Sequence, residues 1–443
     1  VAVLDVGTAK VACFIAEFAP DGEILVRGVG HQLARGIRAS QLTDVQDAET
    51  SIIAAVHAAE QMAGHTIEHV LVSLSGGNLT SRSVTVEMTM LGEEVSDRDI
   101  MDIIVEGRAS ISHSESDIIH CIPVSYYLDG AKGIIDPRKM YGKKLGADLH
   151  IITGLPSVTR NLAHCVGRCH LDVQEYITTP YASALSCLED DEKQLGVTLV
   201  DMGGGLTSFA IFSGGRNVHS GVVPIGGMHV TSDIAKGLST SISHAERLKT
   251  LHGSCVISPS DDHVMIDAPL LGEEGEGEEN NVMPRSMLVG IIRPRMEEIF
   301  EMIRSKIETS GFVQHAGRRV VLTGGASQLL GMRELAATVL GKQVRLARPR
   351  AIAGLAEAVS GPGFSTAIGM IEQVNGEGIF DLVHDGGVTV RHTRSGLTCH
   401  FLRSGDGGRL IVFDPPADPA HPAEITIPRG DDVACEMVEG DTH

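Results

Sequence analysis

The chain carries too little positive charge to favour nucleic acid: 36 Lys and Arg stand against 57 Asp and Glu, a net charge of −21. A surface of that sign repels a phosphate backbone, which argues against nucleic acid as a partner. Eight cysteines scattered over 443 residues are too sparse for the disulfide framework of a secreted domain. Nothing at the start reads as a signal peptide, so a reducing, cytoplasmic compartment is expected. No apolar run reaches about 18 residues, so no segment reads as a membrane span. The sequence does not begin with Met, so a trimmed or cropped chain is expected. Also missing are the dinucleotide pattern GxGxxG and the phosphate loop GxxxxGK[ST], so any nucleotide site must be built another way.

What is present supports more than one core. With 443 residues, 42% of them hydrophobic, the chain exceeds what a single core sustains and reads as two domains or more. Its organising stretch is Val200 to Ser208, VDMGGGLTS. The apolar strand Val197 to Val200 delivers Asp201 and then Gly203, Gly204 and Gly205, before apolar residues resume at Phe209 to Phe212. That is a hairpin whose turn carries an acid. Without a Cβ, the glycines can take positive φ and bring their N–H groups up to an anion. Asp201 could hold a hydrated divalent ion against that anion. Taken alone, a tight hairpin with an exposed Asp explains the segment equally well. A second copy shifts the balance: Val1 to Lys10, VAVLDVGTAK, places Asp5, Gly7 and Thr8 in the same order, with Val11 to Ala16 returning. Two such hairpins predict two related lobes facing one phosphate chain.

Between the hairpins, Ile24 to Leu33 reads as a strand and Val70 to Leu74 as a short buried one. Asp44 to Gly64 reads as an amphipathic helix with Ile52, Ile53, Val56, Ala59 and Met62 on its buried stripe. The style then changes. A strand at Ser83 to Met88, a helix at Ser96 to Ser110 capped by Ser96, a strand at Ile118 to Leu128 and a turn-rich Gly130 to Gly146 read as an α+β insertion. It is expected to end where the strand Asp148 to Thr153 rejoins the main sheet, and to meet a partner rather than a nucleotide. Helix Pro156 to Cys169, strand Val173 to Ile177 and helix Pro180 to Leu188 lead to the central hairpin. Cys165 and Cys169, flanked by His164 and His170, offer half a zinc pattern; with no matching pair elsewhere they read as buried helix cysteines beside exposed histidines.

Further on come a strand at Asn217 to Pro224, helices at Val230 to Leu238 and Ser243 to Leu251, and a strand at Val256 to Ile266. An acidic, glycine-rich surface loop is expected at Gly272 to Asn281, and a long helix at Pro284 to Ser310. Glu246 and Lys249, three residues apart on a helix, read by themselves as an exposed ion pair of small worth. The strand Arg319 to Leu322 runs into Thr323-Gly324-Gly325, where a glycine pair leaves room for a purine and its ribose and also makes a plain strand-to-helix turn.

Asp5-x-Gly7-Thr8, Asp201-x-Gly203-Gly204-Gly205 and Leu322-Thr323-Gly324-Gly325 together resemble the three nucleotide-binding motifs of the actin, heat-shock chaperone and sugar kinase superfamily. Within it, four passages resemble the FtsA family of bacterial division proteins: VAVLDVGTAK (1–10), GIIDPRKMYGKKLGADLHIITG (133–154), AERLKTLHG (245–253) and IIRPRMEEIFEMI (291–303). The resemblance runs to about residue 374. It implies an α/β chain with the two-lobed actin-like ATPase fold, two duplicated ribonuclease-H-like domains carrying an FtsA-type α+β inserted subdomain. The first lobe would be 1–75 with 151–190, the insertion 76–150, the second lobe 191–228 with 311–374, its adenosine-side subdomain 229–310, and a tail 375–443.

For the site, the resemblance implies ATP and magnesium (Mg2+) between the lobes. Asp5 and Asp201 would hold the ion through water, Gly7, Thr8, Lys10, Gly203, Gly204, Gly205 and Thr207 would line the phosphates, and Glu246, Lys249, Gly324 and Gly325 would face the adenosine. It further implies filaments on the cytoplasmic face of the inner membrane at the division site, linkage of FtsZ to that membrane, and contact of other division proteins with 76–150. Two departures qualify this. Thr179 stands where the chaperones carry an acid before Pro180, so at most slow ATP hydrolysis is expected, with ATP acting as an inter-lobe clamp. Residues 375–443 show no basic amphipathic helix; Val388 to His392, Leu410 to Phe413 and Ile425 to Ile427 alternate like short strands instead. Two other readings stay open, a pilus-assembly-type ATP-binding protein and a small-molecule kinase, the second needing a carboxylate base between the lobes.

Overall fold

Each acidic hairpin founds a five-stranded sheet, and the two sheets repeat one topology. The computed structural model describes residues 1–19, 23–76, 78–90, 94–111, 116–271 and 281–375, and four further strands at 379–384, 387–392, 398–404 and 407–413. They fall into two units, Val1–Gln373 and Val374–His443.

The first unit starts with β1 (Ala2–Val6), β2 (Lys10–Phe18) and β3 (Ile24–Leu33), a small hairpin of β4 (Ile37–Arg38) and β5 (Gln41–Leu42), helix α1 (Val45–Ala63) and β6 (His69–Leu74). Every residue of β1 is buried, as expected of a central strand covered on both faces. Asp44 caps α1 by accepting the N–H groups of Gln46 and Asp47, and Gly64 ends it at φ 79°. The buried side of α1 is Ala48, Ile52, Ala55, Val56 and Ala59. Ile53 and Met62, expected on it, are 46% and 56% exposed. The reason is close approach: Gly28 and Gly30 of β3 lie against the carbonyls of Ala59 and Ala55, so the helix turns its alanines to the sheet.

The insertion follows as β7 (Thr80–Thr89), α2 (Asp97–Ala109), β8 (Asp117–Leu128), β9 (Ala131–Ile134) and β10 (Lys144–Gly154), an antiparallel sheet in the order β7-β10-β8-β9. Ser96 and Asp99 close a capping box on α2. β10 begins inside the stretch expected to be turns. It does not rejoin the main sheet either, since it pairs with β7 from Lys144↔Thr89 to Thr153↔Thr80 and with β8 on its other edge, which uses both of its hydrogen-bonding sides. The main sheet is regained through α3 (Pro156–Arg168) and β11 (Asp172–Thr178). Cys165 is buried and Cys169 half-buried on α3, with His164 and His170 exposed.

Helices α4 (Thr179–Cys187) and α5 (Asp190–Leu195) lead to β12 (Val197–Met202), β13 (Thr207–Ser213) and β14 (Arg216–Val223). Then come α6 (Gly227–Leu238), α7 (Ile242–His252), β15 (Met265–Asp267), β16 (Val282–Pro284), α8 (Arg285–Thr309), β17 (Arg319–Thr323), α9 (Met332–Leu340), β18 (Gln343–Leu346) and α10 (Ser365–Asn375). The strand expected at Val256 to Ile266 is confined to β15. Pro259 has no N–H to give a ladder, and Ser258 donates its N–H to Asp261 Oδ2 at 2.8 Å, which closes a turn instead. Most of the acidic stretch expected as a loop, 272–280, lies outside the described residues.

The first sheet runs β11-β6-β1-β2-β3, and the second, read from its far edge, β18-β17-β12-β13-β14. In both, an antiparallel three-strand meander is extended by two parallel strands on the side of the acidic strand. The expected duplication is therefore present. Helices α4 and α10 cross so closely that any Cβ on Gly369 would strike the carbonyl of Ala182.

The second unit contains β19 (Ile379–His384), β20 (Gly387–His392), β21 (Thr398–Ser404) and β22 (Gly407–Phe413), an antiparallel meander in chain order. It includes the strands expected near 388 and 410; Ile425 to Ile427 lies outside the described residues.

Candidate functional site

The two glycine turns are built alike. The N–H of Gly7 donates to Lys10 O at 3.0 Å, and that of Gly203 to Leu206 O at 2.9 Å. A Cβ on either glycine would stand 2.9 Å from the same carbonyl. Gly7, Gly203, Gly204 and Gly205 all lie outside the positive-φ region, contrary to the expectation for the central turn. Close approach is what requires them: a Cβ on Gly205 would come to 2.5 Å from Thr8 Oγ1, and one on Gly204 to 3.0 Å from that of Ala9. The tips of the two hairpins thus abut. A third turn joins them between β4 and β5, where Ala39 and Ser40 sit at φ 46° and 55° and the Ser40 N–H donates to Thr8 Oγ1 at 3.1 Å. Side chains in that region cost about 1–2 kcal/mol each, and such strain concentrates at functional sites.

Behind the tips sit the acids. Asp5 is 9% and Asp201 6% exposed. Asp5 Oδ1 accepts from Ser73 Oγ at 2.7 Å. Asp201 Oδ2 accepts from Ser183 Oγ at 2.5 Å and from Thr366 Oγ1 at 3.3 Å. Gly324, at φ 86°, lies where any Cβ would strike Asp201 Oδ1, so the third motif is brought directly against the second. Burial raises the pKa of Asp5, while the Ser73 hydrogen bond and Lys10 pull it down. Burial also raises Asp201, to about 6, against the Ser183 hydrogen bond and with the charge of Asp5 adding to the rise. Lys10 is lowered to about 8, again by burial, with both acids opposing the change. Three ionisable groups therefore share one desolvated field. The Lys10 ammonium lies 3.0 Å from the centre of the Phe364 ring, which also meets Phe14 edge-on.

At the start of α6, Lys249 Nζ donates to Glu246 Oε2 at 2.6 Å, Thr231 Oγ1 at 2.8 Å and Gly227 O at 3.1 Å. Glu246 also accepts from Thr231 Oγ1 at 2.5 Å. A Cβ on Gly227 would reach 3.1 Å from that of Ala326, next to Gly325. The Glu246–Lys249 pair is thus more than a surface ion pair, because it ties α7 to the start of α6 beside the third motif. Thr207 sits differently from the rest. It is fully buried and donates its hydroxyl to Ile225 O at 2.8 Å, so it supports the loop before α6.

Sequence reasoning missed Ser40, Ser73, Ser183, Thr231, Phe364 and Thr366. Each lies 15 residues or more along the chain from the group it serves, and only tertiary packing brings them together. At the start of α4, the hydroxyls of Thr178 and Thr179 are buried without a partner among the described residues.

The family profile described as Cell division protein FtsA matches residues 198–369, and that of the SHS2 domain inserted in FTSA matches residues 76–153. Among curated relatives, the Cell division protein FtsA of Agrobacterium fabrum is 42% identical over 381 residues, spanning 84% of this chain and 86% of its own length. That of Pseudomonas aeruginosa is 33% identical over 368 residues, spanning 83% and 87%. Among solved structures, a chain of a PilM-PilN type IV pilus biogenesis complex matches with a TM-score of 0.60 at 15% identity, over 84% of this chain and 97% of that one, a likeness of fold.

Proposed function

The chain belongs to the FtsA family of bacterial cell-division proteins, and from that premise we propose that ATP with magnesium clamps its two lobes together for assembly at the division site. The observation that carries the reading is the meeting of Asp5, Asp201, Lys10 and Gly324 where two equivalent hairpins touch. The residues fit the cation. Asp5 Oδ2 and Asp201 Oδ1 take no hydrogen bond from the described residues, while their other oxygens are held by hydroxyls. A hydrated magnesium ion would neutralise phosphate charge beside those two oxygens. In this reading Gly7, Thr8, Gly203, Gly204 and Gly205, at the abutting tips of the two turns, line the phosphates, with Lys10 as the balancing cation. Gly324 and Gly325, with the Glu246–Lys249 pair, take the adenosine side.

Thr179 keeps turnover slow, since a hydroxyl cannot take a proton from water near neutral pH. The nucleotide then serves as a clamp. In this reading the clamped form polymerises, recruits FtsZ and lies on the cytoplasmic face of the inner membrane, while the insertion 76–150 receives other division proteins. Identity of 42% with a division protein against 15% with the pilus chain favours division over pilus assembly.

Equilibrium titration with a fluorescent ATP analogue, with and without magnesium, tests the site. Asp5→Asn and Asp201→Asn should each remove most of the affinity gained from the cation, about tenfold or more. Undiminished magnesium-dependent binding in both variants would overturn the assignment.

A further inference from the structure

The two acids occupy equivalent positions in equivalent sheets, yet they are held by different parts of the molecule. Asp5 is anchored within its own sheet: Ser73 follows Val72, the strand partner of Leu4, on the neighbouring parallel strand β6, and it also accepts the N–H of Val6. The equivalent neighbour of Asp201 is Thr323, paired with it across β12 and β17. Thr323 does not serve Asp201. Its hydroxyl lies 2.6 Å from Ser365 Oγ and bonds at the start of α10.

Asp201 is held instead by Ser183 of α4 and Thr366 of α10. These hydroxyls lie 3.0 Å from each other, and Ser186 donates to Ser365 O at 2.7 Å one turn away. All four side chains are buried. The helices touch at Gly369 and Ala182, where no further approach is possible. α4 is also the segment through which the chain passes from β11 of the first sheet to β12 of the second.

From this asymmetry, and resting on the ATP-magnesium reading above, we infer that Ser183 and Thr366 are positioning residues for the cation. They hold Asp201 Oδ2 so that Oδ1 is presented beside Gly324, and they fasten the second lobe's acid to the crossing of α4 and α10. A carboxylate drawn toward a cation pulls on the two hydroxyls that bind its other oxygen, and each hydroxyl sits on one of the crossing helices. Cation occupancy is thereby transmitted to the crossing through Asp201, whereas Asp5 transmits only to its own sheet. Outer partners of this kind orient the ligand that touches the ion, and their loss weakens metal affinity by about 10–100-fold.

The test uses the full chain and two readouts. The first is the magnesium concentration giving half-maximal tightening of fluorescent ATP binding. Ser183→Ala is expected to raise it about tenfold, Ser183→Thr to restore it, and Thr366→Val to raise it in the same direction should Ser183→Ala fail to fold. The second is amide hydrogen exchange in α4 and α10: magnesium-ATP should slow it in the natural chain and lose that effect in Ser183→Ala. Natural magnesium dependence in folded Ser183→Ala and Thr366→Val, or an equal loss of ATP affinity with and without the cation, would overturn the inference while leaving the nucleotide site standing. If the natural chain bound no ATP in either condition, the functional reading would fall and the inference with it.

Discussion

Lys10 is the residue on which the electrostatics of the site turn. Its ammonium is desolvated, faces two buried acids and rests on the Phe364 ring. Two carboxylates against one lysine leave the field net negative, so a phosphate is retained beside the amine only with a second cation present. Lys10→Met should therefore weaken ATP binding even at saturating magnesium. A hydrogen bond to a charged group contributes about 1.5–3 kcal/mol, so a loss of about 10–100-fold is expected in the same fluorescence titration, and a change under twofold would exclude Lys10 from the phosphate site. At this scale the sequence showed what is local. Asp5, Gly7, Asp201 and Gly203 were legible because an acid and a glycine two residues apart at a strand end form a unit readable within ten residues. Ser73, Ser183, Thr366 and Phe364 were not, because a buried serine among apolar residues has no signature until its partner strand or helix is known. The wrong expectation for Gly203 to Gly205 has the same origin. Positive φ is a property of one residue, whereas the contact of Gly205 with Thr8 belongs to two lobes.

The informative junction among elements is the seat of the insertion on β14. His150 of β10 is fully buried, with Nδ1 3.0 Å from Asn217 O and Nε2 2.6 Å from Ser81 Oγ. A carbonyl only accepts, so Nδ1 carries the proton and Nε2 accepts from Ser81. Ser81 Oγ lies 3.0 Å from His219 Nδ1 and accepts the Ser220 N–H at 3.2 Å. Burial lowers the pKa of His150 to about 3, with His219 and His120 adding to the fall. Burial and the charge of Lys306 lower His219 to about 4. Both histidines are neutral in the fold, while the unfolded chain titrates near 6.5. Between those values the unfolded state binds more protons, so stability is full above about pH 6.5 and declines as pH falls toward 4. The melting temperature should be lower at pH 5 than at pH 7.5, and His150→Gln, which keeps both hydrogen-bonding capacities but cannot be protonated, should reduce the difference; equal slopes in the two proteins would remove His150 from the explanation. Elements with a cap and a period were read correctly, α2 with its Ser96 cap above all. The errors came where neighbours decide. β10 pairs within the insertion because β7 and β8 offer free edges on both sides, and the run after Val256 gives way to a turn because Asp261 binds Ser258 and Arg285.

For the whole molecule, the duplicated sheet was legible from the repeated hairpin, and the share-out of work between the two units was not. Every candidate nucleotide residue, from Asp5 to Gly325, and both crossing helices up to Gln373 belong to the first unit. That unit owns two large cores, one on Val200, Phe209, Ile292 and Phe300 and one on Leu4, Ile52, Val72 and Val166. The second unit is an antiparallel meander with its own strand pairing. A unit with its own hydrophobic cores can in principle fold alone. A chain ending at Asn375, where α10 stops, should keep its cooperative melting transition and bind ATP with magnesium within about twofold of the full chain, a difference near 0.4 kcal/mol. Calorimetry and the fluorescence titration on the two chains side by side decide it. A shorter chain that melts without cooperativity, or that loses ATP affinity tenfold while still folded, would overturn the assignment of folding and nucleotide binding to the first unit alone.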